Sequence, residues 1–361
     1  PGTRESAGVA PRHQAERSHA VVLSGGGVFG LAAADGVTQR LFESGVGYPV
    51  GGPGEVVPIV PGAVIFDLGR GGDFAKRPGA SMGEQAYDAA LSSPAGPVPM
   101  GVVGAGTGAV AGGLKGAVGS ASVVLPDGSE VSALVVVNAL GSCVDPATGE
   151  LYATRFGLQG EFSELLLPDP AEVAAARAAA DAAAQPGVPR YVLGTTIGVV
   201  ATDALLTKAQ CAKVSGLAHD GMARAIRPVH TMFAGDTVFT VAPGARGVPD
   251  PLAFHALLAA PGDRFPRPVR LSPTWSTGCF TDRPSSSAVC LRSGATWTSL
   301  STRAMWVRSP KVFGARATRR TPGSFDDCRT VTARCKRLTS PGTRTGTSKQ
   351  PSWGGCETAH W

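Results

Sequence analysis

Leu193-Gly194-Thr195-Thr196-Ile197-Gly198-Val199-Val200-Ala201-Thr202-Asp203 puts a hydroxyl residue directly after a glycine and just ahead of an apolar run. Residues 197–201 are rich in β-branched side chains and read as a buried strand. On these residues alone Gly194-Thr195 is a turn entering a sheet. A second reading stands beside it: if the Gly194–Thr195 bond is cut, Thr195 becomes a chain terminus holding a nucleophile, Oγ1, and a base, an α-amine of reference pKa about 7.7–8.0.

Working outward from this stretch, strands alternate with helices. Residues 19–23 are a short apolar strand, and Ser24-Gly25-Gly26-Gly27 leads into an Ala-rich helix over about 29–43. Residues 56–66 read as one buried strand whose pairing Pro58 and Pro61 limit. Residues 82–92 form a second helix, and 99–103 a strand running into Gly104-Ala105-Gly106-Thr107-Gly108. Segments 122–125 and 131–137, joined by Pro126-Asp127-Gly128-Ser129, read as a β-hairpin. Residues 169–184, nearly all Ala, Asp, Glu and Arg, predict an exposed helix before a Gln185-Pro186-Gly187 linker. After Thr195 come a strand, a helix over about 207–226 with Thr207 as N-cap, and a strand over 237–241. Strands in both halves with helices outside predict a layered α/β body.

The 361 residues, 43% hydrophobic, suffice for one large domain or two modest ones. Charge divides them: residues 1–262 carry 16 Lys+Arg against 22 Asp+Glu, a net −6, whereas 263–361 carry 17 against 5, a net +12. All five Trp and five of the seven Cys also lie beyond 262, so the break falls near Pro261-Gly262-Asp263. No apolar run reaches the roughly 18 to 20 residues of a membrane span, and no secretory leader opens the chain, so a cytoplasmic protein without a membrane partner is expected. The cysteines lack zinc spacing, and neither a metal nor a cofactor is expected. Pro1-Gly2-Thr3-Arg4-Glu5 starts without Met and reads as the middle of a loop, with earlier residues missing.

Other motifs weaken on inspection. Gly104-x-Gly106 follows a predicted strand, but position 109 is Ala and the nearest acids, Asp127 and Glu130, sit in the hairpin turn, so a dinucleotide site is not expected. Lys115 follows Leu114 rather than Gly, which breaks the Walker pattern. His219, Asp220 and His230 admit acid/base work, with His219-Asp220 on the predicted helix over 207–226; without a partner in the sequence the favoured reading is a capped or packed histidine. Asn138, at the end of the hairpin strand, is either a satisfied buried amide or an oxyanion donor.

Six blocks then appear in order: 19–26, 64–74, 104–122, 135–139, 195–203 and 235–239. Together they resemble the self-processing aminopeptidases of the DmpA and β-peptidyl aminopeptidase type over about residues 1–262. The resemblance implies an αββα sandwich like that of the N-terminal-nucleophile hydrolases. It also implies a precursor cut into an α chain, 1–194, and a β chain from 195, the processed αβ units forming a homo-oligomer. The cut comes before a Ser or Thr in the family, here Thr195 after Gly194, and glycine tolerates unusual backbone angles at a strained bond. Asn138 matches the oxyanion-hole asparagine and Asp236 the acidic position that orients the Thr195 amine. Ala234 and Gly27 replace polar residues of the family, and Phe66 has no hydroxyl where an oxyanion tyrosine would be sought.

The implied function is hydrolysis of small peptides, amides or esters with a free amine, which the acidic body would help to hold. Two other readings stay open: an unprocessed member with a binding or structural role, and acyl transfer of the glutamate N-acetyltransferase type. The basic segment 263–361 lacks periodicity and admits three readings, a nucleic-acid arm, a disordered extension, or a high-GC gene translated out of frame. The abrupt end of the helix over 251–260 favours the last, so no nucleic-acid partner is expected.

Overall fold

The computed structural model describes residues 2–70, 72–92, 98–157, 162–163, 165, 167–183, 193–264 and 289–292. The linker 185–187 and almost all of the basic segment lie outside the described residues. In chain order the main elements are β1 (Gly2–Arg4), β2 (Ala20–Ser24), α1 (Ala33–Glu43), β3 (Gly62–Val64), α2 (Ala80–Ser92), β4 (Ala117–Val124) and β5 (Glu130–Val137). They continue with α3 (Pro170–Ala183), β6 (Ile197–Thr202), α4 (Lys208–Ala225), β7 (Thr237–Val241), α5 (Pro251–Arg264) and β8 (Val289–Arg292).

The strands form two four-stranded sheets, ordered β1-β3-β2-β8 and β7-β6-β5-β4. Period-two alternation explains how they stack. In β2, Val21 and Leu23 face the second sheet while Ala20 and Val22 face α1 and α2. In β5, Leu134 and Val136 point to the first sheet, whereas Val131, Ala133 and Val135 point to α4 and α5. Ile197 and Val199 of β6 join the layer between the sheets, and Val200 the layer under the helices. Three apolar layers separate helices, sheet, sheet and helices, so the architecture is an αββα sandwich. Strands buried on both faces read as unbroken apolar runs because neither face meets water. Truncating the fully buried Ile197 to Ala would cost about 2–5 kcal/mol.

Turn and cap chemistry fixes the ends of the elements that matter most. β4 and β5 meet at Asp127-Gly128, where Asp127 accepts from the Ser129 amide at 3.0 Å. Thr207 caps α4 with a reciprocal Thr207/Gln210 capping box. Among the described residues no helix is long and apolar enough to cross a membrane.

Several expectations change. Residues 2–4 form an edge strand antiparallel to Gly62–Val64 rather than a loop, because their backbone groups complete that edge. The segment 56–66 is split into Val56–Val57 and Gly62–Val64, as Pro58 and Pro61 remove the amide donors that one continuous ladder needs. Residues 27–32 wind as a 3₁₀ turn before α1. Residues 99–103 make no strand; Gly101 alone bridges to Val118. Helix α5 continues through Pro261-Gly262 to Arg264, with Leu257 and Ala260 in the core beneath α4. From the basic segment, β8 lies antiparallel to β2.

Candidate active site

Strand register sets the centre of the site. β5 and β6 run antiparallel with Ile197 opposite Val136, and the same register carried two residues outward sets Thr195 opposite Asn138. The Thr195 amide donates to the Asn138 carbonyl, extending the ladder to that pair. Both residues are buried, Thr195 at 3% and Asn138 at 0% exposure, so the hydroxyl and the carboxamide both lie out of bulk water. Thr195 Oγ1 donates to the Gly194 carbonyl oxygen at 2.7 Å.

Asn138 is held in one orientation. Its Oδ1 accepts from the Val110 amide at 3.1 Å and from Arg70 Nη1, which forces Nδ2 to the other side, where it donates to the Phe66 carbonyl at 3.2 Å. Nδ2 carries two hydrogens, and the second meets no acceptor among the described residues. Phe66 thus enters the site through its backbone.

Arg70 joins the two halves of the site. While Nη1 bonds Asn138, Nη2 donates to the Leu193 carbonyl at 2.9 Å, one residue before Gly194. Asp67 and Lys115 lie nearby; Asp67 accepts from the Gly26 amide at 2.6 Å, and Lys115 donates to the Thr107 carbonyl at 2.6 Å. Burial pushes the Asp67 carboxyl up and both cations down, while the mutual attraction of the opposite charges opposes each shift. Asp67 fits only because residues 25 and 108 are glycines: a Cβ at either position would overlap its carboxylate.

Gly194 is required for a similar reason. Its amide donates to the Phe233 carbonyl at 3.2 Å, and a Cβ would overlap the backbone of Ala139 and Leu140. Its φ is not among the positive values, so close approach, rather than an unusual backbone angle, explains the glycine.

On the other side of Thr195, Asp236 Oδ1 accepts from the Thr196 amide at 2.7 Å, and Oδ2 pairs with His230 Nδ1 at 2.7 Å. In the intact chain Asp236 therefore holds the residue after Thr195, while the Thr195 amide is taken by Asn138. The His219 and His230 rings meet with centroids 4.8 Å apart and planes tilted by 60°; burial first, then the His230 charge, lowers the His219 pKa, against Asp236 and Asp220, which raise it. The Thr196 hydroxyl is buried without a partner among the described residues. Cys143 and Cys211 offer no competing nucleophile, because burial lifts each thiol to about 11.

The sequence brought forward Thr195, Asn138 and Asp236, and the fold gathers them. It gave no role to Arg70 or to the His230–Asp236 pair. The available signals were an arginine set among glycines in the 64–74 block, and a histidine six residues before Asp236.

The model of peptidase family S58 matches residues 1–269. An uncharacterized aminopeptidase of Mycobacterium leprae is 49% identical over 249 residues, covering 68% of this chain and 65% of the relative, so the chain spans just under two thirds of that relative's length. An uncharacterized aminopeptidase of Mycobacterium tuberculosis is 47% identical over 261 residues, covering 72% of each. Among solved structures, a Burkholderia sp. beta-aminopeptidase aligns over 70% of this chain and 72% of that one, with a TM-score of 0.46 and 19% identity.

Proposed function

The chain belongs to peptidase family S58, and from that premise we propose that it is an aminopeptidase that activates itself by cutting its own Gly194–Thr195 bond and then uses Thr195 as its nucleophile. The observation that carries this is the buried hydroxyl of Thr195, 2.7 Å from the carbonyl oxygen of the bond to be cut.

In the first step Oγ1 turns from the Gly194 carbonyl oxygen onto its carbon. The C–O bond forms as the C–N bond breaks, and the hydroxyl proton passes to the departing nitrogen. Water then hydrolyses the ester, leaving a Gly194 carboxylate and a free Thr195 amine. The ladder bond to Asn138 would keep that nitrogen in place, and Asp236 would hold the neighbouring Thr196 amide, so the new terminus stays beside its own hydroxyl.

In turnover the amine takes the Oγ1 proton as the oxygen attacks a substrate carbonyl. The free Nδ2 hydrogen of Asn138 stabilises the oxyanion, an effect worth roughly 10²–10³-fold in kcat. The amine returns the proton to the leaving nitrogen, and water releases the acyl group. The substrates proposed are small peptides, amides and esters, cleaved near the N-terminus.

Intact mass and N-terminal sequencing of the purified protein beside Thr195→Ala test the reading. Two chains, the second beginning at Thr195 and absent from the variant, are expected. A single uncut wild-type chain overturns it.

A further inference from the structure

We infer that His230 is a positioning residue for the reaction: its bond to Asp236 closes the segment 230–236 into a clamp on the two residues that flank Thr195. This rests on the self-cleaving reading above, because it concerns where Thr195 stands when it attacks.

The segment His230-Thr231-Met232-Phe233-Ala234-Gly235-Asp236 grips the chain on both sides of the nucleophile. The Phe233 carbonyl accepts from the Gly194 amide at 3.2 Å, and Asp236 Oδ1 accepts from the Thr196 amide at 2.7 Å. Burial does not hold the tip of the segment, because Met232 is 97% and Phe233 59% exposed. Between His230 and Asp236 only Thr231 has a polar side chain, and its hydroxyl meets no partner among the described residues. Beside the turn in which the Ala234 amide donates to the Thr231 carbonyl at 2.9 Å, what closes the segment on itself is His230 Nδ1 on Asp236 Oδ2 at 2.7 Å.

His230 takes that place in a strained conformation. Its φ is +52°, in the left-handed region that a side chain rarely enters, and such strain persists where the surroundings fix it. The His219 ring of α4 lies against the imidazole, with centroids 4.8 Å apart. A carboxylate can only accept, so Nδ1 carries the hydrogen. Without that donor Oδ2 loses its partner inside a side chain only 6% exposed, and the carboxylate is free to turn off the Thr196 amide. Thr196 is bonded directly to Thr195, so the hydroxyl shifts with it, and a small misplacement of a nucleophile slows attack steeply. His230 thus acts through Asp236 on both steps, the cut and the turnover.

The test uses three variants whose new residues all tolerate a positive φ. His230→Asn puts an amide nitrogen where Nδ1 stands, His230→Asp has the same shape without a donor, and His230→Gly removes the side chain. Intact mass against time follows self-cleavage, and an aminoacyl p-nitroanilide gives kcat and KM of the matured protein, at about pH 8, where carboxylates are ionised, and below the Tm of each variant. His230→Asn is expected within about threefold of wild type in both rates, and the Asp and Gly variants about tenfold slower with KM within about threefold, in the range that one intramolecular hydrogen bond supplies. Failure of the Asp and Gly variants to mature while the Asn variant does also supports the inference. Asp and Gly variants with wild-type rates overturn it and leave self-processing standing, as does a loss confined to KM. An Asn variant as slow as the Asp variant, or one that does not mature, overturns it as well, since the donor is then not what His230 supplies. A wild-type chain that stays uncut overturns the processing reading, and this inference with it.

Discussion

The two sides of Thr195 are built from different materials. On the acyl side Asn138, Arg70, Asp67 and Lys115 form a half-buried to buried polar wall, each held by hydrogen bonds to the backbone or to a neighbour. On the amine side the Asp236 carboxylate is buried, but its partner His230 is 39% exposed and meets the His219 ring, so that side opens to solvent. The contrast teaches a division of labour. On the proposed mechanism the carbonyl under attack would meet fixed donors, which low dielectric strengthens, and the base would stand on the side open to solvent.

The largest break in that contrast is removal of the group between the two sides. Thr195→Ala is expected to leave a single 36.5 kDa chain with no turnover above background, read by intact mass and aminoacyl p-nitroanilide hydrolysis. Next comes the acyl wall: Asn138→Ala should lower the cleavage rate and kcat by about 10²–10³-fold. It should also cost about 1–3 kcal/mol of stability, since Arg70 and the Val110 amide lose their acceptor; a denaturant titration measures this. Gly194→Ala should slow self-cleavage by at least about tenfold as Leu140 is pushed aside, and an SDS-gel time course follows it.

On the amine side the effects are smaller and depend on pH. Burial lowers the pKa of His219 below its ordinary 6.5, so the folded state binds fewer protons than the unfolded one. Its stabilising contribution is full above pH 6.5 and is lost as pH falls through the folded value. A plot of Tm against pH from 8 to 5 should decline on the acid side, and His219→Gln should flatten the decline. Smallest of all, Thr196→Val should change stability by less than about 1 kcal/mol, because the buried hydroxyl has no partner to lose. A larger loss of activity than of stability would assign that hydroxyl to the substrate.

Much of the sandwich was legible because its strands are buried on both faces: residues 19–23, 131–137 and 197–201 are apolar but for His19 and Ser132, and Thr207 announced the start of α4 with its own cap. The split of 56–66 was half visible in its two prolines. The 3₁₀ turn at 27–32 and the lone bridge at Gly101 were hidden, since glycine-rich segments carry no periodicity. At the site, Asn138 and Thr195 were legible as residues whose types matched a chemistry. Arg70 was not, because an arginine between glycines looks solvated until the fold lays Leu193 against it. His230 was missed for the same reason, as its carboxylate partner is reached by a loop.

Register has one last consequence. β6, which would begin the new β chain, lies between β5 of the α chain and β7 of its own, in a six-pair ladder with β5. The cut therefore falls outside the ladder and leaves every pair of it intact. Refolding, however, changes its kinetic order. The uncut chain regains this sheet in a unimolecular step at any dilution, whereas two separated pieces must first find each other, so recovery of the cut protein after denaturation should depend on concentration and fail when dilute.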